Sequence, residues 1–360
     1  MRLARLTVRG FRNLADTALD FPADGVVLLG PNGQGKTSLL EAIAYPVLFR
    51  SFRTALDTEV VRFTESGFHV GLEFIREERE RQVALTFRVA GRKKERLLDG
   101  GVAARVVDAA GVWLAVVFAP DDVRLASGAA SGRRLYIDRT LALADRAYLG
   151  ALARYRAALK QRNAALRLGR PEMAAVFDGP LAAAGAVVVT RRIAWVASVG
   201  EAYRASLNAL GERGAAAALQ YAGSVELADE SAWPERLARA APRDLARRMT
   251  TIGPHRDDLI LLLGERPLRE YGSTGQHRSA AIALKLLELE TIERTAGSTP
   301  ALLLDDVFAE LDGERQERLA RRLFGGRSPQ VFLTAPRAEE LPAGLGLPVW
   351  RVDQGRIATA

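Results

Sequence analysis

The chain has 360 residues, 48% hydrophobic and 26% charged, and this composition excludes a disordered chain because it can bury the cores of two or three domains. It contains no cysteine, which excludes disulfide bonds and thiolate metal sites. The formal net charge of +8 suits a polyanionic partner, but nearly all of the positive charge is arginine, which equally suits solvated helix faces.

Export and membrane insertion are not expected from the sequence. Residues 1–5 are not followed by the unbroken apolar run of a signal peptide, and no stretch reaches the length that a bilayer requires. We therefore expect a cytoplasmic protein with no membrane partner.

The first part of the chain is predicted to form strands around one helix. Apolar runs at 3–8, 19–21 and 26–29 predict strands, and the last one leads directly into a glycine-rich loop. Residues 37–43 have helical spacing. Alternation between 68 and 107 predicts antiparallel hairpins with breaks at 76–81 and 99–101, and a buried strand is predicted at 113–118.

After residue 122 the composition changes to alanine, leucine and arginine. Apolar residues recur there at spacings of three and four, as at Leu149, Leu152 and Tyr155, which predicts helices. Pro171 and Gly185 mark possible breaks in these helices.

Strand signals return around residue 251 and continue at 259–263, 301–304 and 331–333. We therefore predict one α/β domain built from residues 1–122 and 248–360. A helical domain, residues 123–247, is inserted in its middle.

The residues after the third predicted strand match the phosphate-loop pattern G-x-x-x-x-G-K-T. Its glycines let consecutive backbone N–H groups surround a phosphate, and the N-terminus of the following helix adds a positive potential. Lys36 supplies a charge for the β and γ phosphates, and Thr37 is the predicted Mg²⁺ ligand. The alternative is a glycine turn that carries lysine by chance. The predicted nucleotide-binding residues are Gly30, Pro31, Asn32, Gly33, Gln34, Gly35, Lys36, Thr37 and Ser38.

Two carboxylates follow the apolar strand predicted at 301–304. A central parallel strand is buried on both faces, and ligands bind at the carboxyl ends of such strands. Asp305 is therefore the predicted Mg²⁺ partner, directly or through water, and Asp306 the group that polarises an attacking water. Without the phosphate loop, such a pair would be a common feature of strand ends.

The segment 271–276 leads into an apolar helix predicted at 280–292. Ser273 and Gln276 have the spacing of a capping box, which starts many helices with no ligand involved. A serine hydroxyl and exposed N–H groups at a helix start also suit a γ phosphate, so both interpretations stay open.

Two further groups of residues have open interpretations. Arg50 and Arg53 belong to a basic loop with an aromatic residue, which suits a DNA phosphate contact as well as a solvated surface. His255 follows a Gly-Pro pair and has no second histidine nearby, which favours a structural turn over a catalytic or metal site.

Several motifs in combination resemble those of ABC-type ATPases. The loop 30–37, the segment 273–276, the strand end 304–306 and the triplet Glu310, Leu311 and Asp312 resemble the phosphate loop, signature motif, Walker B strand and D-loop. Within that superfamily, residues 8–14, 133–138 and 253–257 resemble the RecF family of bacterial recombination mediators, over nearly the whole chain. The long interval between Lys36 and Ser273 argues against a compact transporter subunit, and the insert is too short for the coiled coils of SMC proteins.

The resemblance implies an ABC-type ATPase head, with a mixed sheet and an antiparallel β-layer, that binds ATP and Mg²⁺. It implies that Ser273 and Gly275 of one subunit act on ATP held by another, so that ATP forms a homodimer and hydrolysis releases it. Ser273 and Gln276 are the catalytic candidates of this segment. It also implies DNA clamping in repair at gaps or stalled replication forks, where other recombination mediator proteins help to load the recombinase. A transporter ATPase and a passive DNA scaffold are the alternatives.

The sequence departs from the ABC pattern at three places. Asp306 stands where many ABC ATPases carry glutamate, which predicts slow hydrolysis, typical of a timer. The segment 331–336 has no histidine at the usual switch position, and no glutamine follows the strand at 113–118. Asp121 or Asp122 is a candidate for the glutamine's role.

Overall fold

A computed structural model describes residues 1–212, 216–308, 311–324, 329–342 and 344–359. The first elements in chain order are β1 (Arg2–Arg9), β2 (Thr17–Asp20), β3 (Gly25–Leu29), α1 (Lys36–Leu48), β4 (Gly67–Arg76), β5 (Arg79–Arg88), β6 (Lys93–Leu98), β7 (Gly101–Val102), α2 (Val106–Ala109) and β8 (Ala115–Phe118). Next come α3 (Arg124–Ser127), α4 (Ala130–Ala144), α5 (Arg146–Arg167), α6 (Pro171–Ala175), α7 (Asp178–Ala209), β9 (Ala217–Ala222), α8 (Trp233–Arg247), β10 (Asp258–Leu263), β11 (Arg266–Pro267), α9 (Leu268–Tyr271) and α10 (Thr274–Ala296). The last elements are β12 (Ala301–Asp305), α11 (Gly313–Phe324), β13 (Val331–Ala335), β14 (Val349–Asp353) and β15 (Arg356–Ala358).

The described chain divides into two compact units. Unit 1 comprises Met1–Asp122 and Glu288–Ala360, and unit 2 comprises Val123–Leu287. The first boundary coincides with the predicted one at residue 122. The second lies at 287 rather than 247, because β10 pairs along its length with β9 and therefore belongs to unit 2. That the units are separate folding domains stays a prediction.

The described residues of unit 1 form two six-stranded sheets. The first is antiparallel, in the order β2-β1-β4-β5-β6-β7, as the alternation between residues 68 and 107 predicts. The second is mixed, in the order β15-β14-β3-β13-β12-β8, with β15 its antiparallel edge strand. Helix α1 packs against strands of both sheets.

The strands β12 and β13 are buried at every residue, which explains their continuous apolar sequences. They run parallel to β3, so the carboxyl ends of the three strands lie at one edge of the mixed sheet. The glycine loop between β3 and α1 leaves the sheet at the same edge. The fold therefore collects the predicted site residues of unit 1 at that edge.

Unit 2 is built from helices and a small antiparallel sheet in the order β11-β10-β9. Long helices α5 and α7 pack together, and β9 packs on α7. The predicted strand signal around residue 251 is wrong, since the chain turns there, and β9 was missed because its alanine-rich sequence lies in a helical context. The insert is therefore not purely helical.

Gly185 does not break a helix as predicted, because it lies inside α7. A Cβ atom at this position would stand 2.3 Å from the Trp233 ring, so glycine lets the buried tryptophan approach the helix backbone. The predicted break at Pro171 is confirmed, since this residue begins α6.

Helix α7 is long and apolar enough, by length and composition alone, to cross a membrane, and it is the one such helix in the described part of the chain. The prediction that no stretch reaches this length is therefore wrong. In the most apolar window of α7, 56% of the residues are buried within the protein. A helix in a protein core can have the same length and composition.

Candidate nucleotide-binding site

The glycine loop joins β3 to α1 with the backbone conformations that the motif requires. Gly33 and Gly35 have φ angles of 81° and 114°, which side chains other than glycine rarely adopt. Among the described residues, no side chain caps the N-terminus of α1, and the first turn of this helix carries no acidic residue. The N-terminal N–H groups and the positive end of the helix are thus available to an anion.

The Lys36 side chain folds back over the loop. Its ammonium group donates hydrogen bonds to the Gly30 carbonyl at 2.5 Å, the Pro31 carbonyl at 3.2 Å and Asn32 Oδ1 at 3.4 Å. Only 3% of the residue is exposed. These three acceptors hold the ammonium group against the loop, where it and the positive end of α1 both favour a bound anion.

Thr37 and Asp305 come together as predicted for a Mg²⁺ site. The Thr37 hydroxyl donates to Asp305 Oδ1 at 2.9 Å. Hydroxyl and carboxylate oxygens are ligands that suit a hard cation such as Mg²⁺, so the residues present fit the ion. Burial raises the pKa of the Asp305 carboxyl above its ordinary value, an effect that the Thr37 and Thr334 hydrogen bonds oppose and the Asp306 charge reinforces.

Thr334 is a site residue that the sequence analysis missed. It lies opposite Asp305 in the β12–β13 register, and its hydroxyl is within 3.0 Å of Asp305 Oδ1 and 3.1 Å of Asp306 Oδ1. The Asp306 N–H donates to the same hydroxyl at 2.9 Å. A threonine near the end of an otherwise apolar strand is the signal that the sequence offers. Thr334 therefore joins the two carboxylates that follow β12.

Asp306 follows β12 in a left-handed conformation, with a φ of 47°. Aspartate tolerates this region better than most residues because its short polar side chain can bond locally. The proposed D-loop begins nearby, but Glu310 lies outside the described residues. Of the rest of that motif, Asp312 accepts a hydrogen bond from the Arg315 backbone N–H at 2.9 Å, at the start of α11.

Asn13 bridges the loop after β1 to the phosphate loop. Its amide nitrogen donates to the Gly33 carbonyl at 3.0 Å, and its oxygen accepts from the Ser38 hydroxyl at 2.8 Å. Asn13 lies in the segment 8–14 that resembles the RecF family, and the sequence alone predicts no role for it. Asn13 therefore bonds to Gly33 within the phosphate loop and to Ser38 in the first turn of α1.

Glu41 of α1 forms ion pairs with arginines from two loops. Its carboxylate is fully buried and accepts two hydrogen bonds from Arg12, at 2.8 and 2.9 Å, one from Arg53 at 3.2 Å and one from the Ser51 hydroxyl. The Arg53 side chain remains 43% exposed. Its predicted DNA contact, like that of the exposed Arg50, stays a prediction, but Arg53 also has a structural role.

The segment 273–276 in unit 2 forms the capping box that its spacing predicts. The Ser273 N–H donates to Gln276 Oε1 at 2.9 Å, and the Gln276 N–H donates to the Ser273 hydroxyl at 3.2 Å. Ser273 is exposed, and Gly275 and Gln276 are half-buried. The two side chains thus accept hydrogen bonds from backbone N–H groups at the start of α10. Their action on the nucleotide of a second subunit stays a prediction.

Comparison with known proteins places the chain in a family. The model of the RecF/RecN/SMC N terminal domain matches residues 2–344. The DNA replication and repair protein RecF of Anaeromyxobacter sp. (strain Fw109-5) is 39% identical over 99% of both chains. RecF of Myxococcus xanthus (strain DK1622) is 36% identical over 93% of this chain and 90% of its own. The chain belongs to the RecF family.

Solved structures agree with this assignment. A structure of the recombination mediator protein RecF with ATP, of the RecFOR pathway, superimposes with a TM-score of 0.89 at 29% identity, over 100% of this chain and 97% of that one. An Smc head bound to a domain of ScpA gives a TM-score of 0.57 at 16% identity, over 100% and 97% of the chains, which shows a shared fold. The predicted fold class, an ABC-type ATPase head with a mixed sheet and inserted helices, is confirmed.

Two of the segments that resemble the RecF family meet inside unit 2. Arg133 makes a two-bond ion pair with Asp258 at 2.8 Å, and the Arg134 side chain donates to the Asp257 carbonyl at 2.8 Å. Arg192 of α7 donates to the Pro254 carbonyl and to Asp138, both at 2.7 Å. The two segments, with Asp258 and Arg192 beside them, therefore belong to one hydrogen-bonded network in unit 2.

His255 belongs to the same network. Its Nδ1 lies 2.6 Å from the Tyr155 hydroxyl, and its Nε2 lies 3.0 Å from the Thr250 carbonyl. Burial lowers the pKa of His255 to about 4, so the ring is neutral at neutral pH. The described residues contain no cluster of metal-ligating side chains. The arrangement agrees with the predicted structural role.

Proposed function

We propose that this RecF-family protein is an ATP-dependent DNA-binding protein of recombinational repair. The proposal rests on the groups that meet at one edge of the mixed sheet. The N-terminus of α1, the Lys36 ammonium group and the hydrogen-bonded pair of Thr37 and Asp305 all lie there. This combination supplies donors for a triphosphate and oxygen ligands for its cation. The similar solved RecF that carries ATP supports the same ligand here.

In the proposed site, the loop amides and Lys36 hold the β and γ phosphates. Thr37 and Asp305 hold Mg²⁺, which neutralises phosphate charge when it is bound. Asp306 polarises a water through its carboxylate, while the Thr334 hydroxyl fixes the orientation of that carboxylate. The side chain of Asp306 is one methylene shorter than that of glutamate, which supports slow turnover, as in a timer.

Each chain carries a phosphate site and a signature segment, and the second of these is solvent-exposed at Ser273. In the proposed dimer, the segment of one subunit closes over the ATP of its partner, and Gly275 lets the backbone approach the phosphate. Hydrolysis then separates the subunits. ATP binding, self-association and DNA binding are therefore thermodynamically linked, because each of them favours the dimer.

The nucleotide part is tested by calorimetric titration with MgATP. Lys36→Met removes the loop cation and keeps the length of the side chain, and we expect at least a tenfold loss of affinity, since a charge-assisted contact contributes roughly 1.5–3 kcal/mol. Lys160→Met is the control, because Lys160 is an exposed cation in the middle of α5. Equal affinities of the two variants for MgATP would refute the proposed site.

The end of α8 supports the DNA part. Arg247 and Arg248 are exposed, and neither makes an ion pair within the described residues. By contrast, Arg318 and Arg321 of α11 each pair with a glutamate one turn earlier in the same helix. Unpaired arginines are better placed to replace the counterions of DNA phosphates.

The matched experiment compares two double variants of equal net charge. Arg247→Gln with Arg248→Gln should weaken DNA binding severalfold and reduce the salt slope by up to about 1.8, at roughly 0.9 for each phosphate contact. Arg318→Gln with Arg321→Gln should leave both quantities near wild type. The same loss in both pairs would show that only net charge matters.

We also propose that further mediator proteins bind this chain, as the pathway of the similar solved RecF suggests.

A further inference from the structure

The chain ends in a hairpin whose turn touches the phosphate loop. The hairpin consists of β14, β15 and the two residues between them, Gln354 and Gly355, which have φ angles of 47° and 76°. Positive φ at both central positions is the pattern of a type I′ turn, which suits the twist of two-residue hairpins. We call these residues the C-terminal hairpin.

Three hydrogen bonds join the tip of the C-terminal hairpin to the phosphate loop and to the loop after β1. The Gly355 N–H donates to the Gln34 carbonyl at 2.8 Å, and the Gln354 N–H donates to Gln34 Oε1 at 2.7 Å. The Gly355 carbonyl accepts from the Ala15 N–H at 2.9 Å. The tip therefore bonds to both the phosphate loop and the loop that contains Asn13.

The backbones approach so closely that side chains would not fit. A Cβ atom at Gly355 would stand 1.8 Å from the Asn13 carbonyl oxygen, and one at Gly30 would stand 2.2 Å from the Val352 carbonyl oxygen. Both obstacles are backbone atoms, which cannot rotate away. Glycine at position 30 thus serves the hairpin contact, in addition to the phosphate-binding pattern.

We infer that the C-terminal hairpin is a positioning element that holds the phosphate loop in its phosphate-binding shape. Gln34 lies between Gly33 and Gly35, whose positive φ angles aim the loop amides. Its side chain is directed to the hairpin through the Gln354 bond, so it acts as an anchor. The inference rests on the proposed nucleotide site and adds to it a segment more than 300 residues away along the chain.

A second turn in the chain provides a matched control. Asp99 and Gly100 join β6 to β7 with φ angles of 49° and 79°, which nearly equal the φ angles at the tip of the C-terminal hairpin. A Cβ atom at Gly100 would meet nothing within 4 Å. Gly100→Ala therefore reproduces the backbone strain of Gly355→Ala without the contact to the phosphate loop.

The experiment measures the affinity of the full chain for MgATP. We expect Gly355→Ala to bind at least tenfold more weakly than wild type, with a raised KM and a smaller change in kcat, and Gly100→Ala to bind like wild type. Equal affinities for the two variants would overturn the inference. Failure of the wild type to bind would instead refute the nucleotide site itself.

Two measurements do not depend on the folding of Gly355→Ala. Gln34→Met removes the Oε1 acceptor without backbone strain and should weaken MgATP binding about threefold to tenfold. In wild type, MgATP should slow hydrogen exchange at the Gln354 and Gly355 amides, which face Gln34, and leave the Gly100 amide unchanged. Unchanged affinity of Gln34→Met, or unchanged exchange at the tip, would contradict the inference.

Discussion

Ser273 allows the two interpretations of its segment to be separated by experiment. Ser273→Ala removes the hydroxyl that accepts the Gln276 N–H at 3.2 Å. The loss of such a cap destabilises by about 1 kcal/mol, which lowers Tm by roughly 2–4 °C in a unit of this size. Ser273→Asp keeps the cap, because aspartate accepts the same bond and favours a helix N-terminus.

Aspartate would, however, place a negative charge against the partner subunit's triphosphate. Two like charges about 4 Å apart repel by roughly 4 kcal/mol at an effective dielectric constant of 20, so ATP-dependent dimerisation should weaken by about 10²- to 10³-fold. Thermal unfolding without nucleotide and sedimentation with ATP measure the two effects separately. A Ser273→Asp variant with wild-type Tm that dimerises at the wild-type ATP concentration would refute action in trans and leave only the cap.

Three further predictions concern residues of both units. Glu41→Gln leaves Arg12 and Arg53 beside a buried neutral amide, so the free energy of unfolding should fall by about 2–3 kcal/mol, and an unchanged urea midpoint would contradict the importance of this cluster. Burial lowers the pKa of His255 from 6.5 in the unfolded chain to about 4 in the folded protein, so protons bind preferentially to the unfolded chain. Stability should therefore decline as pH falls from 6.5 to about 4, by up to roughly 3 kcal/mol, and His255→Gln should decline less over that range; identical pH profiles would exclude this cause. Asp306→Asn should lower ATP turnover by about 10²- to 10⁴-fold while the ATP-bound dimer persists, and unchanged turnover would remove Asp306 from the proposed chemistry.

The sequence predicted those parts of the fold that depend on local patterns. The order of strand, glycine loop and helix from β3 to α1 follows from an apolar run and one motif, and the Thr37–Asp305 pair follows from where parallel strands end. The capping box of Ser273 and Gln276 was equally local. These interactions need no knowledge of distant partners.

Features that depend on distant pairing could not be predicted in this way. Thr334 acquires its role from the register between β12 and β13, and β10 belongs to unit 2 because β9 pairs with it. The contact between Gln34 and the C-terminal hairpin joins opposite ends of the chain. Gly185 looked like a helix break because only the packing of Trp233 explains a glycine there.

We propose that ATP at the phosphate loop brings two copies of this chain together on DNA. Sedimentation of the wild type and of Lys36→Ala, with ATP, with ADP and without nucleotide, each with and without duplex DNA, tests it most directly. We expect doubled mass and DNA binding only for the wild type with ATP. A wild type that saturates with ATP and remains monomeric, or a Lys36→Ala variant that dimerises equally well, would contradict the claim.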